Sequence, residues 1–529
     1  MNKDKALLII LILSFIFKQL AWTAFVPMWH FPDEQAHFGQ VAYIAEKGST
    51  PPGDNSNNLT EEIRKSEELL GTERDFLGIN KFTYHPEYRI EYAVTMLGKY
   101  EKEIIELSKD PLKREMVKRE ATRYPEAYYR LTAFIYKSFY QADLFQRVYL
   151  TRFAQLTFSL GTVILSYFIG RLLFQNSSLL SLSLAAFVSF QPMFSFVSAG
   201  INSDNIANFI FTLFLYLSVK LIKEKLNYKL PAIFFPVMLL TVYQKPHFVL
   251  VIPLAVTVSI YVFRRHIFML LMSAGFFSLA FYFLSAIKII PLGIAERIYN
   301  NGFLKNFPQY FMSYALPHLY REVMPWYWGV FDWLGITYPR IVHRIINWLV
   351  LVAIIGLIWG ILKRLLDLPK RKMKQMVFTL PVMLFMILTG IVYVSGVYLY
   401  DWIEWYKKNI HLGVQGRYFF PLITVISYFL LLGFTFIFSA KKKLIETGIK
   451  IMVSLMVVLH NYAFLLVLKS YYQLNFRLLI IQASQYKPWF FKGWLLTAIL
   501  LLSLTSMTFF LIKYWLTDLP YEKGLQKNR

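Results

Sequence analysis

About twelve apolar runs divide this chain from end to end, and a bilayer demands runs of this length where a soluble core does not. They fall at Ala6 to Met28, Tyr149 to Phe174, Leu179 to Ala199, Ile206 to Ile222, Leu230 to Val242, Val249 to Phe263, Ile267 to Ile290, Ile345 to Leu362, Met376 to Tyr398, Tyr418 to Phe438, Ile451 to Leu468 and Trp494 to Leu516. A backbone entering hydrocarbon must pair its own N–H and C=O groups, so each run is expected to be helical. The composition can fill them: 56% of the 529 residues are hydrophobic and 18% aromatic, which argues against a soluble globular fold. The fold class expected is an all-α polytopic membrane protein with about 12 transmembrane helices. The two runs flanking Gln244 and Pro246 are short, which predicts tilted, broken or re-entrant segments there.

The 56 Lys and Arg against 32 Asp and Glu give a net charge of +24. Placement identifies the partner as the lipid bilayer and not nucleic acid, because the excess sits in short connectors: Lys220 to Lys229, Arg264 and Arg265, Lys363 to Lys374, Lys441 to Lys450, and the tail after Lys513. With Lys3 and Lys5 inside and an uncleaved first helix, alternation puts both termini in the cytoplasm. It leaves His30 to Val148, Gly200 to Asn205, Gln244 to Phe248, Pro291 to Arg344, Asp401 to Arg417 and Ser470 to Lys492 on the outer face. The chain reads as one membrane domain, 1–529, with an inserted extracytoplasmic subdomain at 29–148, whose stretch Leu59 to Lys118 is expected to hold two or three surface helices. The absence of cysteine removes disulfides, thiolate nucleophiles and Cys-ligated metals.

Five polar clusters could carry chemistry. Pro32-Asp33-Glu34-Gln35-Ala36-His37 opens a helix expected to run to Lys47, with Asp33 and His37 four apart and Glu34 and His37 three apart on one face. That spacing suits an acid/base or metal-binding cluster; the plainer reading is acidic residues complementing a helix dipole. Ser198 to Asn205 offers Asn202 and Asp204, or simply a helix cap. Lys245 and His247 sit between the two short runs, where an ionisable side chain is a site candidate unless Lys245 snorkels to the interface; Lys18 in the first run raises the same question. Gln415-Gly416-Arg417-Tyr418 places an arginine, able to grip a phosphate bidentately, where an interfacial anchor is the alternative. Trp326 to Gly335 is aromatic enough to stack on sugars, although Trp and Tyr also mark membrane boundaries. No Gly-rich phosphate loop, HExxH or Ser-centred elbow accompanies them.

Taken together, these stretches resemble a bacterial multi-pass family described as a domain of unknown function, which is similar to the GT-C-type membrane glycosyltransferases. The marks are PDEQAH at Pro32 to His37, YPEAYY at Tyr124 to Tyr129, RFAQL at Arg152 to Leu156, PMFSFVSAGINSD at Pro192 to Asp204, KP at Lys245 and Pro246, WGVFDWL at Trp328 to Leu334, and QGRY at Gln415 to Tyr418. Two departures are Asp332, where glycine is expected, and Gln35, where proline is common. The resemblance implies a GT-C-like fold with a long helical first extracytoplasmic loop in a bacterial inner membrane. It implies an inverting transferase that uses a polyprenyl-phosphate-linked sugar and acts on a cell-surface glycan, teichoic-acid-like polymer or glycolipid. By carry-over Asp33 is the base, with Glu34 the alternate and His37 beside them. Asp33, Glu34 and His37, with Asp204, would hold any divalent cation, magnesium or manganese. Arg417, Gln415, Lys245 and Tyr418 would bind the donor phosphate, and Asn202, Asp204, His247, Trp328 and Trp333 the substrate. On this reading Asp33 and Arg417 face one cavity. The rivals are a flippase for a lipid-linked sugar and a non-catalytic sugar-lipid binding or assembly protein.

Overall fold

The computed structural model describes residues 3–49, 58–74, 81–83, 90–107, 114–116, 125–175, 177–224, 227–286, 303–332, 335–367, 380–409, 411–438 and 442–519. Their regular structure is helical apart from two small antiparallel strand pairs. The helices that matter below are α1 (Lys3–Phe25), α2 (Glu34–Lys47), α3 (Ala127–Ser138), α4 (Leu144–Leu173), α5 (Ser178–Ser189), α6 (Pro192–Ala199), α7 (Asp204–Lys223), α8 (Lys229–Gln244) and α9 (Val251–Phe263). After them come α10 (Ile267–Ala286), α11 (Arg340–Asp367), α12 (Leu380–Lys408), α13 (Ile423–Ile437), α14 (Lys442–Tyr471) and α15 (Gly493–Leu516).

Among the described residues nine helices are long and apolar enough to cross a membrane, and the bent pair α5 and α6 makes a tenth if it counts as one span. The expected count of about twelve is therefore not reached by length and composition. The shortfall lies where the sequence shows short runs: α8 has 16 residues and α9 has 13, under the roughly 17–25 of an ordinary span. The run Leu179 to Ala199 is also broken, by 56°. Pro192 cannot continue a helix from α5, and it starts α6 at the first turn, where its missing N–H costs nothing. Gln191 fixes the corner, accepting from the Phe194 N–H and donating to the Tyr327 carbonyl.

Close packing without a strong hydrophobic drive requires small residues at the contacts. Gly433 on α13 meets the backbone of Ala353 on α11, where a Cβ would stand 2.0 Å from the Ala353 carbonyl oxygen. Some polar groups buried within the apolar helices serve helix contacts. Lys18 on α1 donates to Ser195 Oγ on α6 at 2.9 Å, and its neighbour Gln19 donates to Ser198 Oγ at 2.8 Å, so Lys18 serves a helix contact.

The inserted subdomain between α1 and α4 contains α2, α3 and shorter helices at Glu61–Leu69 and Glu101–Ile105. It also contains a strand pair not foreseen from periodicity, with Leu59 opposite Glu115. It is tied to α4 by Arg147, which donates to both carboxylate oxygens of Glu62 at 2.9 and 2.6 Å.

Candidate functional site

The segment from His30 to His37 is the hub on which the distant polar motifs converge. Asp33 occupies the cap position of α2 with φ of 57°, a left-handed conformation that an L-residue adopts at a cost of roughly 1–3 kcal/mol, and its side chain makes no capping bond. The carboxylate instead reaches Arg417, whose Nη2 donates to Oδ2 at 2.5 Å across 384 residues of sequence. Both residues are nearly buried. Asp33 thus does more than complement the dipole of α2, and Asp33 and Arg417 share one site.

Glu34, one residue on, faces a different partner. Arg152 of α4 donates to its Oε1 through Nε at 2.8 Å and to its Oε2 through Nη2 at 2.6 Å. The same guanidinium gives its remaining hydrogens to the carbonyls of Thr23, Val26 and Pro27. Glu34 in turn accepts from the backbone N–H groups of Trp29 and Ile201. Five donors and four acceptor sites are thus fully used. Glu34 is a structural keystone joining α1, α2, α4 and the Gly200 turn, a part that its expected place as an alternate base did not include. Among the described residues no group of three or more His, Asp or Glu side chains is arranged to hold a metal ion.

His37 shares a hydrogen bond at 2.9 Å between its Nδ1 and the Tyr129 hydroxyl, and the two rings stack. Burial pulls its imidazole down to about 4, outweighing the opposing fields of Asp33 and Asp204 and helped by those of Arg417 and Lys245. Those four charges form two ion pairs, Asp33 with Arg417 and Asp204 with Lys245. Lys245 does not snorkel: it is held at the end of α8 against the first residue of α7. Asn202 donates to the Pro32 carbonyl at 3.3 Å and accepts from the Asp204 N–H at 2.8 Å, which binds the α6–α7 turn to the hub. His247 lies beside Lys245, 3.2 Å from the Tyr393 hydroxyl.

Arg417 differs from Arg152 in one respect that matters for chemistry. Its Nε–H is buried and has no partner, so its guanidinium has donor capacity to spare. It lines a narrow cleft with Gln415, Pro32 and Trp326. Gly416 makes the cleft possible, since a Cβ there would stand 2.1 Å from the Tyr327 nitrogen. Tyr418 lies with its ring 5.7 Å from the Arg417 guanidinium, and its carbonyl accepts from Tyr393. A cavity of about 470 Å³ opens beside these residues, lined by Tyr327, Phe419, Leu422, Val394 and Phe429 and carrying no charged side chain. Trp328, expected to stack on substrate, is buried at the boundary between this cavity and a second apolar one of about 240 Å³. Its ring therefore belongs to apolar packing. Trp333 lies outside the described residues.

Sequence reasoning did not single out Arg152 within RFAQL, although a buried arginine in an apolar run is a signal in itself. It also passed over Tyr129 and His30 and noted Asp332 only as a departure from an expected glycine; Asp332 has φ of 49° and accepts a 2.7 Å bond from His30 Nδ1. Tyr128 donates to Gln155 at 3.0 Å, so YPEAYY and RFAQL also meet at this hub.

The fold and site define a polytopic helical membrane protein with a buried, charge-compensated polar centre at one end of its bundle. A family model described as Predicted membrane protein (DUF2142) matches residues 15–426, and the chain belongs to that family. The match runs from within α1 to just past QGRY and so takes in every residue of the hub. No curated protein matches the chain.

Proposed function

We propose that this protein is an inverting membrane glycosyltransferase that moves a sugar from a polyprenyl-phosphate carrier to an extracytoplasmic glycan, teichoic-acid-like polymer or glycolipid. In this reading it lies in a bacterial inner membrane with both termini cytoplasmic and a GT-C-like arrangement of spans. The observation that carries it is the contact of Asp33 with Arg417, a carboxylate turned away from its own helix end toward a guanidinium with an unused donor, beside an apolar cavity. A phosphate on a lipid tail needs those last two features together.

The donor phosphate competes with Asp33 for Arg417. A bidentate grip on phosphate releases the Asp33 carboxylate, which then accepts the proton of the acceptor hydroxyl as that oxygen attacks the anomeric carbon. The bond from the anomeric carbon to the phosphate oxygen breaks, its electron pair leaves with the lipid phosphate, and Arg417 takes the growing charge. Asp204 and Lys245 keep the centre neutral, and buried, neutral His37 orients through Tyr129. A single displacement inverts the anomeric centre.

The test is transfer from radiolabelled polyprenyl-phosphate sugar to membrane extracts by the purified protein. Asp33→Asn should lose about 10²–10⁴-fold in rate, as expected for a missing general base. Arg417→Ala should lose donor binding. Transfer by Asp33→Asn at the rate of the natural chain would remove the assignment.

A further inference from the structure

Two carboxylate–imidazole pairs stand apart from the Asp33–Arg417 contact, and their exposure separates them. His30 and Asp332 are both sealed, with side chains 1% and 2% exposed. His411 and Asp401 are not alike: Asp401 is fully buried while His411 is 31% exposed. Asp401 ends the apolar part of α12 and accepts three hydrogen bonds, from the Tyr310 hydroxyl at 2.5 Å, the Leu412 N–H at 2.6 Å and His411 Nδ1 at 2.9 Å. A carboxylate fixed by two other donors leaves Nδ1 of the neutral imidazole as the protonated nitrogen. Nε2 then presents its lone pair, and none of the described residues takes it.

The ring is also held in orientation. His411 lies parallel to Tyr314 at 3.7 Å and to Trp405 at 5.9 Å. Tyr314 comes from the helical stretch Phe303 to Gly329, which contains two π-helical segments, Phe311–Ala315 and Leu319–Val323. Such insertions cost regular hydrogen bonding and cluster at functional sites. They bring Tyr310, Tyr314 and His318 to one stripe, with Tyr314 and His318 stacked at 5.3 Å. Aromatic residues at a membrane boundary ordinarily point singly toward headgroups. Here they are stacked around one oriented imidazole.

We propose that His411, oriented by Asp401 and flanked by Tyr314 and Trp405, is a hydroxyl-binding site that receives a saccharide, the acceptor in the transfer reaction. That the saccharide is the acceptor rests on the function proposed above; the hydroxyl site itself does not. Six residues lead from His411 to Arg417, so the two sites lie within about 20 Å, the reach of a short oligosaccharide.

The experiment is equilibrium binding of a panel of methyl hexosides and methyl N-acetylhexosaminides to the purified full-length protein in detergent. It is read by saturation-transfer NMR and by quenching of tryptophan fluorescence, without donor. The natural chain should bind, and His411→Ala should bind about tenfold more weakly, the loss of one well-placed hydrogen bond. His411→Gln, which keeps an acceptor atom, should recover part of that loss, whereas a purely structural role for His411 would give no recovery. Asp401→Asn should weaken binding while the fluorescence-monitored melt reports whether the fold persists. Equal binding by the natural chain and both His411 variants, or no binding of any member of the panel, overturns the proposal whatever the transfer assay gives. His411-dependent binding with transfer unaffected by Asp33→Asn would instead remove the base assignment and leave this site standing.

Discussion

Asp33 and Glu34 are adjacent carboxylates with unequal expected responses to the same change, removal of one negative charge. Glu34→Gln leaves the Arg152 guanidinium buried without a counter-charge, and its side chain is 0% exposed. Removing one partner of such a pair costs about 3–5 kcal/mol, because the stranded charge cannot be rehydrated. The loss should spread through the carbonyls of Thr23, Val26 and Pro27, which Arg152 ties to the entry of α2. Asp33→Asn leaves Arg417 with a cleft at hand and still in the field of Asp204, so a loss of about 1–2 kcal/mol is expected. Its amide also tolerates the left-handed backbone at that position. The assay is reversible unfolding of the purified protein in mixed micelles, followed by tryptophan fluorescence for both variants and for Glu34→Gln combined with Arg152→Met. The double variant should recover much of the Glu34→Gln loss. A Glu34→Gln protein as stable as the natural chain, or an Asp33→Asn protein less stable than Glu34→Gln, would refute the division of labour between the two residues.

Two further outcomes follow from the same geometry. Burial lowers the folded-state value of His37 from 6.5 to about 4, so its contribution is intact above pH 6.5 and is lost as pH falls toward 4; on the short helix Glu61–Leu69 of the inserted subdomain, burial raises Glu67 from 4.5 to about 7, so its contribution is intact below 4.5 and is lost as pH rises toward 7. The stability difference between the natural chain and His37→Gln should therefore shrink by about 3 kcal/mol on acidification through that window. The difference against Glu67→Gln should move the opposite way by a similar amount. Curves of unfolding free energy against pH check both signs. Gly416→Ala should displace QGRY from the Tyr327 backbone and abolish donor binding while leaving helix content intact, measured by circular dichroism beside lipid-phosphate binding.

The places where this chain becomes helix were legible from its residues, because a helix satisfies its backbone with partners four residues away and each apolar run carries that instruction within itself. The same local logic flagged the short runs either side of Lys245, but it read Leu179 to Ala199 as one run and so missed the corner at Gln191 and Pro192. It brought Asp33, Asp204, Lys245 and Arg417 into consideration, since charged residues at the ends of apolar runs require explanation wherever they occur. It could not say which carboxylate of the Asp33-Glu34 pair meets which arginine. Those partners lie 384 and 118 residues away, and neighbouring positions on a helix point about 100° apart, so the choice rests on how α4 and the QGRY segment pack against the hub. Nor could it find Arg152 as the partner of Glu34, or His411 over Asp401, where π-helical turns shift the register of Tyr310 and Tyr314. The sequence by itself determined that charges would gather at one end of a helical bundle. Only the tertiary structure decided which are saturated by five donors and four acceptors and which have a donor to spare, because hydrogen-bond saturation is a property of the packed neighbours and not of the residue that carries the charge.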